Sequence, residues 1–374
     1  MRRLLIRCTK IEWITKLIDK KRIMTTQEFL GKKEFAIQDQ TVSESCPSNI
    51  ALIKYWGKYD NQIPANPSIS YTLNHCKTNT SLEFIANEAF SVQTFLAGNE
   101  EPKFAAKIEK YFSNIEQYLP WILKGKYIIR TENTFPHSSG IASSASGFGA
   151  VAKCLMHLDG IFSGKASEEE SLRKASFLAR LGSGSACRSL YSGLVVWGEC
   201  QVKESSDLFA VQYPNDEVHE IFKDFNDWVL LIHEGEKSVS STVGHGLMNT
   251  NPYADRRFQE ARENFGPMKE ILASGDLHQF IKLVEHEALT LHAMMMMSDP
   301  AFILMKTGTL EVINKIWDFR KETGLPLFFT LDAGANVHLL FPNNGSEETI
   351  KLFIETELLQ HTQKNGVVKD IMKF

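Results

Sequence analysis

The segment Phe135-Pro136-His137-Ser138-Ser139-Gly140-Ile141-Ala142-Ser143-Ser144-Ala145-Ser146-Gly147 runs straight into a helical pattern with apolar residues at Phe148, Val151, Ala152, Leu155 and Leu158. That spacing buries one helix face. A Ser/Gly loop feeding a helix N-terminus suits an anion: the first turn offers unpaired N–H groups and about half a positive charge, and small side chains let phosphate oxygens approach. A second small-residue loop, Gly182-Ser183-Gly184-Ser185-Ala186-Cys187-Arg188-Ser189, follows the helical stretch 171–181. Either loop alone could equally be a helix cap or stop with no ligand.

Other chemistries are poorly supported. The second loop has Cys187 where a dinucleotide fingerprint needs its third glycine, and it follows a helix rather than a strand. Gly57-Lys58 is followed by Tyr59, and Leu52 stands where a Walker loop needs its first glycine. His286-Glu287 lacks a second histidine, position 290 being Thr, so no zincin site is present. Neither loop matches a nucleophile elbow between strand and helix.

The elements that must hold these loops alternate between strand and helix. Residues 51–56 read as a buried strand or its exit, 126–131, 194–197 and 228–232 as strands, and 69–73 and 80–84 as antiparallel neighbours separated by polar residues. Helical spacing covers 103–119, stopped by Pro120, and roughly 251–273 and 276–296. Two apolar runs, 327–331 and 337–341, flank the turn Asp332-Ala333-Gly334-Ala335-Asn336. At 374 residues the chain is long for one core. The charged stretch 204–227 is the candidate boundary, giving an α+β fold of two sandwich-like domains, 35–225 and 226–374, with a cleft between them.

Bulk properties narrow the partners. A net charge of -4 gives no basic field for nucleic acid, and no apolar run reaches the roughly 20 residues a membrane span needs. Six scattered cysteines without a CxxC pair fit reduced thiols and a cytoplasmic location. Residues 1–24 carry eight Lys or Arg against Glu12 and Asp19. Such a basic amphipathic segment can read as a targeting peptide or a membrane-surface helix. The simpler reading of residues 1–34 is an extension outside the fold, either a disordered tail or the product of a start codon upstream of Met24.

The first loop resembles the PxxxGLxSSAA phosphate loop of the GHMP kinases, with Ile141 in place of Leu. Three further segments narrow the resemblance to the diphosphomevalonate decarboxylase family. These are Asn49-Ile50-Ala51-Leu52-Ile53-Lys54-Tyr55-Trp56-Gly57-Lys58, the segment Ser183–Ser189, and the turn at Asp332, which resembles a DAGPN turn with Ala335 for Pro. Val239-Ser240-Ser241-Thr242 and His292-Ala293 fall in the expected order. The resemblance implies the two-domain GHMP kinase fold: a ribosomal protein S5 domain 2-like N-terminal domain and an α/β-sandwich C-terminal domain, with the active site in the cleft. It also implies a homodimer.

For function, it implies ATP- and Mg2+-dependent phosphorylation of the 3-hydroxyl of mevalonate 5-diphosphate, then loss of phosphate and CO2 to give isopentenyl diphosphate. No protein site dedicated to a metal is expected. Asp332 would be the catalytic carboxylate, as a base or an orienting group, although Asp-x-Gly is also a common turn cap. Arg188 would grip the substrate carboxylate, since a guanidinium can make two parallel bonds to it. Lys54 would offset charge on the transferred phosphoryl group, and Asn49 would orient its neighbours.

Tyr55, Lys58, Ser241 and Thr242 would hold the diphosphate, with Ser183 and Ser185 on substrate or nucleotide. Ser139, Gly140, Ile141, Ala142, Ser143, Ser144, Ala145 and Ser146 would form the ATP loop. Trp56 after an apolar strand, and the run Met294–Met297, read more simply as packing. The alternatives are a decarboxylase or 3-kinase acting on the monophosphate, and a non-catalytic binding protein on the same fold. Retention of Asp332, Arg188 and Lys54 argues against a pseudoenzyme.

Overall fold

The computed structural model describes residues 26–136, 141–235 and 239–373. Most of the N-terminal extension, with Met24, lies outside the described residues, as do Ser139 and Gly140 of the first loop. The end of the extension belongs to the fold, which corrects the expectation for 26–34. Phe29 is buried, and its ring stacks on Phe177 at 4.1 Å between centroids. An aromatic ring gains too much from burial to stay in water when a core face is open beside it.

Strand β1 (Gln40–Ile53) pairs antiparallel with a long strand that follows two short ones, β2 (Lys58–Tyr59) and β3 (Ile63–Pro64). The long strand, β4 (Ser68–Ala86), is 19 residues and contains both 69–73 and 80–84. The expected pair of neighbouring strands is therefore one strand. Its polar middle is held by tertiary contacts: the Asn74 and His75 amides donate to Asp370 Oδ1 at 2.9 Å, and the Cys76 amide to Oδ2 at 2.6 Å.

The first sheet continues with β5 (Ser91–Leu96), β6 (Asn99–Glu100), β7 (Gly125–Asn133), β8 (Leu194–Trp197) and β9 (Ala210–Gln212) in the order β6-β5-β7-β4-β8-β9. Burial alternates along the second half of β4 and is continuous from Ser68 to Leu73. A sheet covered on both faces loses its polar alternation. The second sheet, built from β10 (Asp224–Leu230), β11 (Phe328–Leu331), β12 (Val337–Pro342) and β13 (Val367–Lys373), is antiparallel in the order β11-β12-β10-β13. The expected strand at 51–56 breaks after Ile53, so Lys54 to Gly57 leave the sheet as a loop.

Helices α1 (Pro102–Ile115), α2 (Ser143–Phe162) and α3 (Glu168–Gly182) cover the first sheet, burying Ile108, Phe112, Val151, Leu155, Leu158 and Phe177 against Leu82, Phe84 and Tyr127. A capping box starts α3: the Glu170 amide donates to Ser167 Oγ, and the Ser167 amide to Glu170 Oε2. In the second half come α4 (Ser241–Leu247), α5 (Ala254–Glu263), α6 (Phe265–Ser274), α7 (Leu277–Met296) and α8 (Thr307–Thr323). The helical pattern expected over 251–273 is thus two helices, because Pro267 in the first turn of α6 has no N–H for the ladder to run through. A shared core joins the sheets, with Leu52, Ile69 and Leu194 of the first packed with Phe225, Val229, Phe328 and Leu340 of the second. The cleft opens along the edge of this joint.

Candidate active site

Five distant segments converge on one cleft of about 860 Å³. The loop after β1 brings Lys54, Tyr55 and Lys58; the approach to α2 brings Ile141, Ala142, Ser143 and Ser144. The 3-10 segment Gly184–Leu190 brings Ser185 and Arg188, with Ser183 just before it; α4 brings Ser241 and Thr242. The turn after β11 brings Asp332, and Asn49 projects from β1.

Ala145 and Ser146 belong elsewhere. Both are fully buried, and the Ser146 hydroxyl pairs with Thr78 Oγ1 at 2.6 Å. Two residues into α2 the helix surface has already rotated from the cleft to the core, so the Ala145 and Ser146 side chains pack inward rather than line the cleft.

Ala142, immediately before α2, holds φ 33° and ψ 42°, a left-handed conformation uncommon without a glycine. Such strain persists only where the surroundings fix it, and it aims the Ser143 and Ser144 amides along the helix start. In the second loop, a Cβ on Gly184 would meet the Tyr55 hydroxyl at 2.8 Å and Trp197 at 2.9 Å. Only glycine lets that backbone pass so close to Tyr55.

The Arg188 guanidinium is buried and set by neutral groups alone. Its Nε donates to Ser70 Oγ at 3.0 Å and to Asn49 Oδ1 at 3.3 Å, Nη2 to Asn49 Oδ1 at 3.2 Å, and Nη1 to Ser68 Oγ at 2.6 Å. Each terminal nitrogen keeps an N–H with no such partner. Among the described residues no carboxylate lies within ion-pair distance of Arg188, and burial lowers its pKa, a shift partly offset by Cys187 and Asp332. Asn49, whose Nδ2 donates to Ser189 Oγ at 2.7 Å, sets the guanidinium through its Oδ1 and also lines the cleft.

Lys54 is 1% exposed, and its Nζ has no hydrogen-bond partner among the described residues. Burial lowers its pKa to about 8, against the pull of Asp332 and Glu287. A buried ammonium left bare is costly unless an anion is brought to it. The half-buried Lys58 is likewise lowered by burial, and the Tyr55 hydroxyl is buried without a partner among the described residues. The cleft therefore presents the bare Lys54 ammonium and the Tyr55 hydroxyl, with Lys58 held by Gln62 Oε1 at 2.8 Å, in one lining with Ser143, Ser144 and the carboxylate of Asp332.

Several lining residues had no place in the motif reading. Lys107, Lys110 and Asn114 present one face of α1 to the cleft; their three- and four-residue spacing was a readable signal. His245 lies one turn beyond Ser241 and Thr242, and its Nδ1 accepts the Gly57 amide at 2.9 Å. Its ring stands against Tyr55 and Trp56, and burial lowers its pKa to about 3, so it is neutral. Trp56 is buried core and also borders the cleft. Of the methionine run, Met294 and Met295 are core, while Met296 and Met297 are exposed. Among the described residues no group of His, Cys, Asp or Glu could hold a metal ion, and no helix is long and apolar enough to cross a membrane.

Comparison with known proteins agrees with this geometry. Residues 46–208 match the diphosphomevalonate decarboxylase-like N-terminal domain, and 228–372 the mevalonate 5-diphosphate decarboxylase C-terminal domain. The diphosphomevalonate decarboxylase of Schizosaccharomyces pombe is 31% identical over 323 residues, covering 81% of this chain and 79% of that protein. That of Saccharomyces cerevisiae is 29% identical, covering 84% and 80%. The crystal structure of mevalonate diphosphate decarboxylase from Staphylococcus aureus superposes with a TM-score of 0.76 at 28% identity, over 90% of this chain and 97% of that one. The complex of MDDEF with MVAPP, AMPPCP and magnesium gives the same TM-score at 27% identity, with the same coverage. From both domains and across nearly its whole length, the chain belongs to the diphosphomevalonate decarboxylase family.

Proposed function

We propose that this protein converts mevalonate 5-diphosphate and ATP into isopentenyl diphosphate, ADP, phosphate and CO2. One observation carries the reading: a bare buried ammonium, a guanidinium with no protein carboxylate, and the Asp332 carboxylate share one cleft with a phosphate-type loop. A phosphorylated substrate that itself bears a carboxylate satisfies all of them.

ATP with Mg2+ supplies the transferable phosphoryl group when bound. The residues fit it: the Ser143 and Ser144 hydroxyls and the start of α2 can take the nucleotide phosphates, and Lys54 is unpaired. With no carboxylate cluster among the described residues, Mg2+ would be held chiefly by phosphate oxygens and water, as its preference for water ligands allows.

Asp332 accepts the hydrogen bond of the substrate 3-hydroxyl and directs its oxygen for in-line transfer. Lys54 stabilises the charge gathering on the phosphoryl group, in a dry wall where that interaction is strong. Arg188 fixes the substrate carboxylate with its spare donors. Once the 3-oxygen carries the phosphoryl group, the C3–O bond of the substrate breaks: phosphate leaves with that electron pair, and the electrons of the bond to the carboxylate form the alkene as CO2 departs. Lys58, Tyr55, Ser241 and Thr242 hold the diphosphate. Lys58 and the buried Tyr55 hydroxyl support a second phosphate over a monophosphate substrate. The free cysteines among the described residues, four of them buried, agree with the reducing cytoplasmic setting we propose.

The test is a coupled assay on the mono- and diphosphate substrates. ADP, phosphate and CO2 should form together from the diphosphate; ADP without CO2 would overturn the decarboxylase reading, and preference for the monophosphate would overturn the substrate. Asp332→Ala should lower turnover about a thousandfold or more while nucleotide binding survives.

A further inference from the structure

Lys54 is gripped by its backbone, not by its side chain. Its N–H donates to Glu287 Oε2 at 2.9 Å, and its carbonyl accepts from Arg257 Nη2 at 3.2 Å and from Asn66 Nδ2 at 2.9 Å. Glu287 and Arg257 are themselves a buried ion pair, joined by Nη1 to Oε1 at 2.9 Å and by a second short bond between Nη2 and Oε2. Asn264 Nδ2 completes the carboxylate at 2.6 Å. Glu287 lies on α7 and Arg257 on α5, both in the second half of the chain, whereas Lys54 ends β1 of the first.

A buried ion pair is a poor device for stability alone, since apolar side chains of similar volume often do as well. This one spends its hydrogen bonds on a main-chain amide and carbonyl at the cleft wall. The carboxylate is used up by Arg257, Asn264 and the Lys54 amide, so it acts on the ammonium only through space. The result is a cation held near a negative charge yet free to meet a ligand.

We propose that Glu287, locked by Arg257, is a positioning residue for the reaction: it fixes the Lys54 backbone across the joint between the two halves and keeps the ammonium charged without occupying it. This rests on the reading of Lys54 as the cation that meets the transferred phosphoryl group. The groups that set the charge of Lys54 are Asp332 from the turn after β11, Glu287 from α7, Arg188 from the 3-10 segment and Asp227 from β10, the last paired with His338 at 2.8 Å. Removing the Glu287 charge leaves Asp332 and the His338-bound Asp227 against burial and Arg188, and Lys54 loses its proton at lower pH.

The test compares the pH profile of kcat/KM, which reports the free enzyme, and the maximal kcat for CO2 release in the parent, Glu287→Gln and the double variant Glu287→Leu/Arg257→Met. The double variant removes both buried charges together and keeps the site measurable if Glu287→Gln does not fold. In Glu287→Gln the alkaline limb should move to lower pH by roughly one unit, the size of effect a nearby opposite charge exerts, and in the double variant, which also removes the Arg257 cation, by less in the same direction. The maximal kcat should fall about tenfold with KM values within about threefold, because the lost interaction belongs to the transition state. A folded variant whose alkaline limb overlays the parent's, with kcat within about twofold, overturns the proposal and leaves the pair a structural brace. Lys54→Ala separates the two layers. Full turnover there defeats the role of Lys54 itself, whereas lost turnover beside an unshifted Glu287→Gln defeats only the inference about Glu287.

Discussion

Arg188 and Arg257 are both almost completely buried, at 3% and 1% exposed, and they are satisfied in opposite ways. Arg257 faces Glu287 and donates to a main-chain carbonyl as well, so its charge is neutralised within the protein. Among the described residues Arg188 donates to a side-chain amide and two serine hydroxyls and lies over the Trp197 ring, all of them neutral. Hydrogen bonds to neutral groups place a guanidinium but do not repay the cost of taking its charge out of water. The fold bears that cost at Arg188 and avoids it at Arg257. A buried cation without a counter-ion, with donors left over on the side of a cleft, is a site prepared for an anion that arrives later.

The widest test of this contrast replaces each arginine by methionine. Arg188→Met should lower turnover about a thousandfold or more, since it removes the group we propose fixes the substrate carboxylate. Its stability should stay within about 1 kcal/mol of the parent or rise, because an uncompensated buried charge leaves with it. Arg257→Met should instead destabilise the fold by about 3–5 kcal/mol, because Glu287 is left buried and unpaired. Urea midpoints and kcat/KM for both variants decide the matter. If the two proteins lose stability equally, the distinction between a paired and a waiting arginine fails.

That distinction divides what the sequence could and could not reveal. Arg188 and Asp332 were legible because each sits in a short segment whose neighbours form the motif. The start of α2 was legible from its apolar spacing, and the structure buries Phe148, Val151, Ala152, Leu155 and Leu158 as that spacing requires. Glu287 and Arg257 were not legible. Each is a charged residue on an amphipathic helix, like many that face water, and only the packing of α5 and α7 against the end of β1 brings them to Lys54. The polar run 74–77 misled for the same reason. It looks like a turn between strands, yet the amides of Asn74, His75 and Cys76 are satisfied by Asp370, a residue close to the other end of the chain, and that of Lys77 by Thr134. Long-range hydrogen-bond partners leave no trace in local pattern, and these are the interactions that join the two halves of the molecule around the cleft.

A gentler substitution sharpens the comparison at Arg188. Arg188→Lys keeps the positive charge but replaces a planar fork with a point charge on a flexible stem. If geometry is what the Ser68, Ser70 and Asn49 contacts secure, turnover should still fall roughly a hundredfold, with KM for the diphosphate substrate changed less than kcat. A lysine that restored most of the rate would mean the site needs only charge. The elaborate seating of the guanidinium would then be incidental.

The smallest expected effect is also the most direct readout of a cation waiting for its anion. In the free protein Lys54 has a pKa of about 8 because burial outweighs Asp332 and Glu287. Above that pH it is mostly neutral. A bound phosphate favours the charged form and raises the pKa, so binding must take up protons when measured above pH 8; ligand phosphates, already ionised there, contribute none. At neutral pH Lys54 is charged before and after binding, and its uptake vanishes. Calorimetry of a non-hydrolysable ATP analogue with mevalonate 5-diphosphate, in buffers of differing ionisation enthalpy, reads this as up to about one proton per site. The difference between the parent and Lys54→Met therefore isolates Lys54. Equal uptake in both proteins would place the titrating group elsewhere and leave Arg188 as the one buried side chain in the cleft held charged for a substrate.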